Sequence, residues 1–163
     1  MDLAFYIHIP YCIKRCGYCD FNTYTPSELK ITTGLKSITS SYTNLLITEI
    51  KSARKQVGER AVVPSIFFGG GTPSLMEAEE IKSIINVIGS EFDLASDIEI
   101  TLESNPDTVD KEKLEKFYQA GINRISFGMQ SAVPHVLATL DRTHNPDNLY
   151  QVTKWASEVG FKE

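Results

Sequence analysis

Short apolar runs and longer amphipathic segments alternate along the chain. Four of the apolar runs are rich in β-branched or aromatic residues, which predicts buried β-strands. They comprise residues 4–9, 62–68, 98–103 and 122–128. The second run is nearly continuous, a pattern typical of a strand that is buried on both faces of its sheet.

The segments between these runs carry apolar residues at helical spacing, and several of them end at glycine. We expect helices over residues 35–57, 74–89, 110–119, 133–140 and 145–156. In the second of these helices the apolar stripe consists of Met76, Ile81, Ile84, Ile85 and Ile88. Gly89 is expected to end that helix, and Gly160 follows the last one.

Four successive strand and helix units without a hairpin signal predict an α/β fold in which helical crossovers join parallel strands. Regular units of this length are typical of a barrel or of part of one. Unusual residues follow the strands, at residues 12–19, 69–72, 103–105 and 128–131. Because the carboxyl ends of parallel strands meet at one edge of a sheet, we expect these segments to form a single site.

All three cysteines of the chain lie within eight residues, at Cys12, Cys16 and Cys19. Thiolates are the usual ligands of iron–sulfur clusters, and a cluster of four irons held by three thiolates keeps one iron open for another molecule. The grouping therefore indicates a cluster that takes part in chemistry.

Disulfide bonding, zinc binding, redox exchange and simple burial remain alternative roles for the three thiols. An odd cysteine count without a secretion signal argues against a disulfide framework. A structural zinc site needs a fourth ligand, and His8 is a candidate, although an alternating apolar run turns its side chain elsewhere. A thioredoxin-like pair at Cys16 and Cys19 leaves Cys12 without a role. Three unrelated buried thiols would ordinarily be scattered along the chain.

The spacing C-x-x-x-C-x-x-C after an extended segment resembles the signature of the radical S-adenosylmethionine (SAM) superfamily. This resemblance implies that Cys12, Cys16 and Cys19 hold a [4Fe–4S] cluster and that SAM chelates the fourth iron. It also implies one-electron chemistry at that iron, with the protein orienting SAM and excluding water.

A longer run of residues places the resemblance within one family of the superfamily. Tyr-Ile-His-Ile-Pro-Tyr-Cys at residues 6–12, followed by Cys-Asp-Phe-Asn at residues 19–22, is similar to the oxygen-independent coproporphyrinogen III oxidase family. Within that family it resembles the HemW-like heme-chaperone branch. The oxidase branch carries a further cysteine two residues after the third, whereas this chain has Phe21, an aromatic residue as in the chaperone branch.

The resemblance also implies a set of SAM contacts beyond the cysteines. They are Tyr6, Tyr18, Gly70, Gly71, Thr72, Glu103, Gln130 and Arg142. Glycines let the backbone approach the amino-acid half of SAM, and the polar side chains suit its hydroxyls, ammonium or carboxylate. Ordinary alternatives are a turn capped by Thr72, a solvated Glu103, and packing of the two tyrosines. The alternative for Arg142 is a solvated charge beside Asp141.

We therefore expect a HemW-like heme chaperone that binds heme as cargo and passes it to an unknown acceptor protein. Its electron donor would be a protein such as flavodoxin or ferredoxin. An alternative within the family is an oxygen-independent coproporphyrinogen III oxidase (dehydrogenase), which forms protoporphyrinogen IX by radical SAM chemistry. A second alternative is a non-catalytic domain with a structural metal cluster, against which the three-ligand spacing argues.

Composition and charge limit the classes of partner that the chain is expected to bind. The 163 residues carry 16 Lys and Arg against 21 Asp and Glu, a net charge of −5, which gives no basic footprint for nucleic acid. No apolar run approaches the roughly 20 residues of a membrane helix, so we expect membrane contact only through a partner. Thiolate ligation and the lack of a secretion signal predict a reducing cytoplasm.

The family is longer than this chain. After the helix that ends at Gly160, the last residues begin an apolar pattern typical of a new strand. We therefore expect residues 1–163 to be an incomplete radical SAM core of about four βα units. The remainder of the barrel and an accessory domain would lie beyond them.

Overall fold

The computed structural model describes residues 1–31, 34–58, 61–142 and 145–162. Within these ranges the strands β1 to β4 form one parallel sheet in chain order: Phe5–Ile9, Val62–Gly70, Asp93–Ser104 and Arg124–Phe127. The helices α1 to α5 are Leu35–Val57, Ala78–Glu91, Lys111–Gln119, Pro134–Thr139 and Pro146–Val159. The expected α/β fold with parallel strands is confirmed. None of the described helices is long and apolar enough to cross a membrane.

One face of the sheet belongs to the hydrophobic core that the helices share. Alternating side chains of the first three strands are buried in it: Ile7, Ile9, Ile66, Phe68, Ile100 and Leu102. The strand register places Phe68 between Ile7 and Leu102, so these side chains form continuous rows across the sheet. Removal of this apolar surface from water is the main stabilising contribution to the sheet.

The opposite face is more open, which corrects the expectation that β2 is buried on both faces. Ile66 and Phe68 are buried on the core side. On the other face, Phe67 is half-buried and stacks on Tyr6 of β1, a 59% exposed residue, with 6.1 Å between ring centroids. The apolar run of β2 therefore combines one core face with an aromatic pair on the other face.

Helices α1, α3 and α5 follow the sequence pattern closely. The bounds of α1 are the predicted ones. Helix α3 begins just after Asp110, whose carboxylate accepts a hydrogen bond from the backbone N–H of Lys113 and so caps the helix. Helix α5 runs past its predicted end and stops where Gly160 adopts a left-handed conformation, with φ of 107°.

Helix α2 differs from its prediction at both ends. Residues 73–75 form a short 3₁₀ turn, and the α-helix begins after a capping box in which the side chains of Glu77 and Glu80 bond each other's backbone N–H. The helix then continues through Gly89, because the fully buried Phe92 holds its far end against the core.

Two strands also begin at unexpected residues. Strand β3 begins at Asp93, which pairs with Val62 of β2, instead of at residue 98. Strand β4 begins at Arg124 instead of residue 122. The residue before it, Asn123, uses its side-chain amide to donate to the carbonyl of Ile98 in β3, at 2.7 Å. This side-chain bond adds to a backbone bond, because the N–H of Asn123 also donates to the carbonyl of Ile100 at 3.0 Å.

Candidate cofactor site

A cavity of about 610 Å³ lies where the strands end. Its wall includes Cys12, Cys16, Tyr18, Cys19, Gly70, Gly71, Thr72, Glu103, Gln130 and Arg142. These residues come from the segments that follow β1 and β4 and from the ends of β2 and β3. The expected convergence of strand ends on one site is therefore found, as parallel α/β topology requires.

The cysteine loop, residues 12–19, is fixed by backbone hydrogen bonds. The N–H of Cys12 donates to the carbonyl of Tyr24 at 3.1 Å, which joins the chain before the loop to the chain after it. Inside the loop, the N–H of Cys19 donates to the carbonyl of Cys16 at 3.0 Å. The three thiols are therefore carried on a closed turn at the end of β1.

His8 of β1 bonds the chain just after the cysteine loop. Its Nε2 lies 2.9 Å from the carbonyl oxygen of Asn22, and its Nδ1 lies 3.3 Å from the hydroxyl of Tyr6. A ring protonated on Nε2 donates to Asn22 and accepts from Tyr6. Because both ring nitrogens have partners, the zinc site with His8 as fourth ligand is not supported.

Cys12 is the most enclosed of the three thiols, with 8% of the residue exposed. Burial raises the pKa of its thiol, and the hydroxyls of Thr72 and Thr23 oppose that shift. The hydroxyl of Thr72 donates to Cys12 Sγ at 3.6 Å. A donor in that place stabilises the thiolate that metal binding requires.

Two glycines bring the end of β2 against the cysteine loop. The strand runs to Gly70, beyond its predicted end at residue 68, and Gly70 has φ of 110°, which residues with a side chain rarely adopt. A β-carbon on Gly71 would lie 2.6 Å from the carbonyl oxygen of Tyr11 and 3.0 Å from Cys12 Sγ. The close approach of backbone to thiol therefore depends on glycine at residue 71.

Glu103 lies near the end of β3, is half-buried and lines the cavity. Its Oε2 accepts a hydrogen bond from the N–H of Gly70 at 3.3 Å. This bond ties β3 to the glycine turn of β2 and holds the carboxylate at the cavity wall. Glu103 is therefore not a solvated surface residue.

Arg142 turns into the cavity instead of pairing with Asp141 in solvent. Its Nη2 donates to the carbonyl of Gly128 at 2.6 Å, and its Nη1 donates to Cys16 Sγ at 3.5 Å. Its Nε is buried without a hydrogen-bond partner among the described residues. Gln130 lines the same wall, with a left-handed φ of 60°. This buried guanidinium nitrogen is free, among the described residues, to donate to a polar or anionic ligand.

The two tyrosines occupy different places. Tyr18 lines the cavity, and burial is the main cause that raises the pKa of its hydroxyl. Tyr6 does not line the cavity. It precedes the end of β1 by three residues, which is about 10 Å at the rise of a strand. Burial, followed by the charge of Glu103, raises the pKa of the Tyr6 hydroxyl.

Sequence reasoning gave no site role to three charged residues of the cavity wall, Lys14, Asp107 and Asp141. Lys14 and Asp141 both line it, and Lys14 Nζ lies 3.5 Å from Asp141 Oδ1. The sequence treats Asp141 only as a neighbour of Arg142, since nothing in it shows that the cysteine loop approaches the end of α4. Asn105, Asp107 and Thr108 also line the cavity, and their turn pattern predicts a strand end without showing where its side chains point.

The donor set fits a [4Fe–4S] cluster, which takes one thiolate on each of three irons. In the described part of the chain, no three His, Cys, Asp or Glu side chains form a group that could hold one metal ion. In an iron–sulfur cluster each thiolate binds its own iron, so the sulfurs need not meet at one point. Three thiols on the wall of one cavity, two of them already accepting hydrogen bonds, suit that arrangement.

Comparison with known proteins gives a consistent result. The family profile of the radical SAM superfamily matches residues 6–163. The heme chaperone HemW of Mycobacterium tuberculosis is 38% identical over 156 residues, which cover 96% of this chain and 38% of that protein. The heme chaperone HemW of Escherichia coli is 36% identical over 160 residues, covering 98% of this chain and 40% of that protein. The chain thus spans about two fifths of the length of these curated relatives.

Solved structures agree with the fold. The Escherichia coli coproporphyrinogen III oxidase HemN, described as a radical SAM enzyme, superposes with a TM-score of 0.83 at 25% sequence identity. The match covers 98% of this chain and 35% of that one. Methylornithine synthase superposes with a TM-score of 0.56 at 17% identity, which shows a shared fold alone. The expected likeness to the oxidase and chaperone family is therefore confirmed.

Proposed function

Because this chain belongs to the radical SAM superfamily, we propose that it forms the cluster-binding and SAM-binding core of a HemW-like heme chaperone. One observation carries this proposal: the three cysteines share a cavity with the glycine turn of β2 and with polar groups from β3 and the segment after β4. Relatives named heme chaperone HemW support it, at 36% to 38% identity.

The cysteine loop is proposed to hold the cluster. Cys12, Cys16 and Cys19 supply three thiolates, and an open fourth iron is left for SAM. The hydroxyl of Thr72 and the guanidinium of Arg142 already donate to two of the sulfurs. Donors of this kind stabilise ligand thiolates and tune the electron affinity of the metal centre.

The glycine turn and the polar wall are proposed to orient SAM. Gly70 and Gly71 let the backbone come close to the methionine half, where main-chain groups bond its ammonium and carboxylate. Glu103 accepts from a hydroxyl or ammonium, Gln130 offers an uncharged amide, and the free Nε of Arg142 offers a cationic donor.

Bound at Cys12, Cys16 and Cys19, a reduced cluster would provide the one-electron chemistry by which SAM is cleaved at its sulfonium. The residues of this chain contribute the rest: they hold the three sulfurs on a closed loop and exclude water from the buried side of Cys12. Reduced thiolates need a reducing compartment, and we therefore propose that the protein works in the cytoplasm with a flavodoxin-like or ferredoxin-like electron donor.

Phe21 favours the chaperone over the oxidase. The oxidase branch has a cysteine at this place, whereas Phe21 presents a 67% exposed aromatic ring at the cavity. We propose heme as the cargo and a separate, unidentified protein as its acceptor. Aromatic surface suits a flat, largely apolar tetrapyrrole.

A second candidate is the oxidase itself, which the likeness to HemN favours. In that case the same cavity would serve oxidative decarboxylation of coproporphyrinogen III. The two candidates share the cluster and SAM, so they differ only in what happens to the tetrapyrrole.

The test uses the full-length gene product, reconstituted anaerobically with iron and sulfide. One arm titrates heme and follows its absorption, and the other supplies coproporphyrinogen III with SAM and a reductant and separates the products by HPLC. We expect saturable heme binding and no protoporphyrinogen. Turnover of coproporphyrinogen without heme binding would replace the chaperone by the second candidate.

A further inference from the structure

The end of helix α4 carries a residue that its backbone geometry does not favour. The N–H of Asp141 donates to the carbonyl of Ala138 at 3.2 Å, and the N–H of Arg142 donates to that of Leu137 at 2.9 Å. This is the hydrogen-bond pattern of a Schellman cap, whose left-handed residue is usually glycine. Asp141 occupies that position with φ of 54°. An aspartate there costs conformational energy that glycine would avoid.

The side chain of Asp141 contacts the cysteine loop at two points. Its Oδ1 lies 3.5 Å from Lys14 Nζ. Its Oδ2 lies so close to Gly17 that a β-carbon there would be only 2.6 Å from it. Glycine at residue 17 therefore makes room for the carboxylate between the second and third cysteines.

The next residue, Arg142, contacts the same loop from inside the cavity. Arg142 donates to Cys16 Sγ at 3.5 Å and to the carbonyl of Gly128 at 2.6 Å. Two consecutive side chains thus bracket the second cysteine: Asp141 bonds Lys14 and lies against Gly17, and Arg142 bonds the sulfur.

We propose that Asp141 is a positioning residue that fixes the cysteine loop to the end of α4 and thereby holds Arg142 on the sulfur of Cys16. The strained residue at the helix end is retained because its carboxylate makes these contacts. The contacts and the alkylation test concern the chain without a bound group, so they are independent of the proposed heme chemistry, whereas the second readout rests on the proposed cluster.

Because Asp141 has a strained backbone conformation, one substitution there can keep or raise stability while it loosens the cysteine loop. Asp141→Gly removes the carboxylate and restores the residue that the cap favours, so the melting temperature should stay the same or rise. Accessibility of Cys16 should nevertheless increase, because the loop has lost its anchor. Lys14→Gln removes the partner, and the Asp141→Gly/Lys14→Gln double variant tests whether the two act as one unit.

The measurement is the rate of iodoacetamide alkylation at each cysteine, resolved by peptide mass spectrometry, in the anaerobic iron-free full-length protein. The rates are taken at their alkaline plateau, where access to the sulfur and not ionisation of the thiol determines them. We expect each single variant to alkylate Cys16 about two- to fivefold faster, the range that an exposed ion pair supplies. The double variant should be no faster than the faster single variant, and Cys12 should keep its rate. Unchanged Cys16 rates, additive effects, or equal acceleration of Cys12 would overturn the proposal.

Glu158→Gln is the matched control, because it removes the Lys111 to Glu158 ion pair, which is similarly exposed and joins α3 to α5. It should leave all three alkylation rates unchanged. A second readout is the midpoint potential of the reconstituted cluster. A donor to a ligand sulfur stabilises the reduced state, so Asp141→Gly should lower that potential and Glu158→Gln should not. Equal potentials in the two variants would count against Asp141 acting through Arg142.

Discussion

The core face of the sheet and its carboxyl edge are built from the same strands in opposite ways. On the core face of β2, Ile66 and Phe68 are 1% and 0% exposed and pack among apolar side chains. Two residues beyond Phe68, Gly70 has a positive φ and bonds the half-buried carboxylate of Glu103. Apolar side-chain packing therefore gives way, within one strand, to a left-handed glycine that bonds a carboxylate.

The difference separates stability from ligand binding. The core face of the sheet gains free energy from the burial of apolar side chains such as Phe68 and Leu102. At the edge, Arg142 Nε is buried without a partner in the described chain, and Gln130 has a left-handed backbone conformation. Both features cost free energy when no ligand is bound. We therefore expect variants on the core face to affect unfolding and variants at the edge to affect binding.

The largest effect is expected from the cysteines. Replacement of Cys12, Cys16 or Cys19 by Ala should reduce the iron content of the reconstituted protein to background, because three thiolates are the full protein ligand set. Iron and acid-labile sulfide analysis measures this. Ser40→Ala, at an exposed position of α1, is the control and should keep full iron. Iron retained in all three cysteine variants would contradict the cluster site.

The next largest effect is expected from Phe68, which is compared with its neighbour Phe67 on the other face of β2. Phe68→Ala should lower the free energy of unfolding by about 3–5 kcal/mol, since it empties a fully buried site. Phe67→Ala loses a half-buried ring that stacks on Tyr6 and should cost about 1 kcal/mol. Urea unfolding of the iron-free protein measures both values. Equal losses would show that the two faces are equally buried in solution.

At the edge, Gly71→Ala should weaken SAM binding about tenfold or more, because the new β-carbon meets two backbone carbonyls that cannot move independently. Equilibrium binding of SAM to the reconstituted protein measures this. Gly89→Ala adds a β-carbon in helix α2, where the nearest atom is a side-chain methyl of Leu94 at 3.3 Å. That control should leave SAM affinity unchanged, and equal weakening in both variants would argue against a close approach at residue 71.

The smallest effect is expected from Glu103→Gln, about fivefold in SAM affinity. The amide oxygen can still accept from Gly70, but the charge that strengthens a bond to SAM is lost. Glu99→Gln is the control, on the same strand but outside the cavity wall, where Glu99 lies 3.8 Å from Arg124. Comparable losses in the two variants would indicate a general effect of charge instead of a direct contact.

Much of the fold could be predicted because its signals are local. Apolar runs located the four described strands, and Gly160 marked the end of the last helix. Errors arose where tertiary contacts override propensity. Gly89 does not end α2, and the polar residues from Asp93 onward form a strand because they pair with β2.

The candidate site was predictable to the extent that motifs mark it. The cysteine spacing and the glycine turn identified one wall of the cavity. The role of Asp141 could not be found, because its contacts with Lys14 and Gly17 join segments more than 100 residues apart. Tyr6 lies outside the cavity wall, so its expected contact with SAM stays a prediction.

The central claim is that SAM binds at an open iron of a cluster held by the cysteine loop. Electron paramagnetic resonance of the reconstituted, dithionite-reduced protein, recorded with and without SAM, tests it most directly. We predict a signal of a reduced [4Fe–4S] cluster whose g-values change when SAM is added, and no such signal in Cys16→Ala. A spectrum that is identical with and without SAM, or a signal that persists in Cys16→Ala, would contradict the claim.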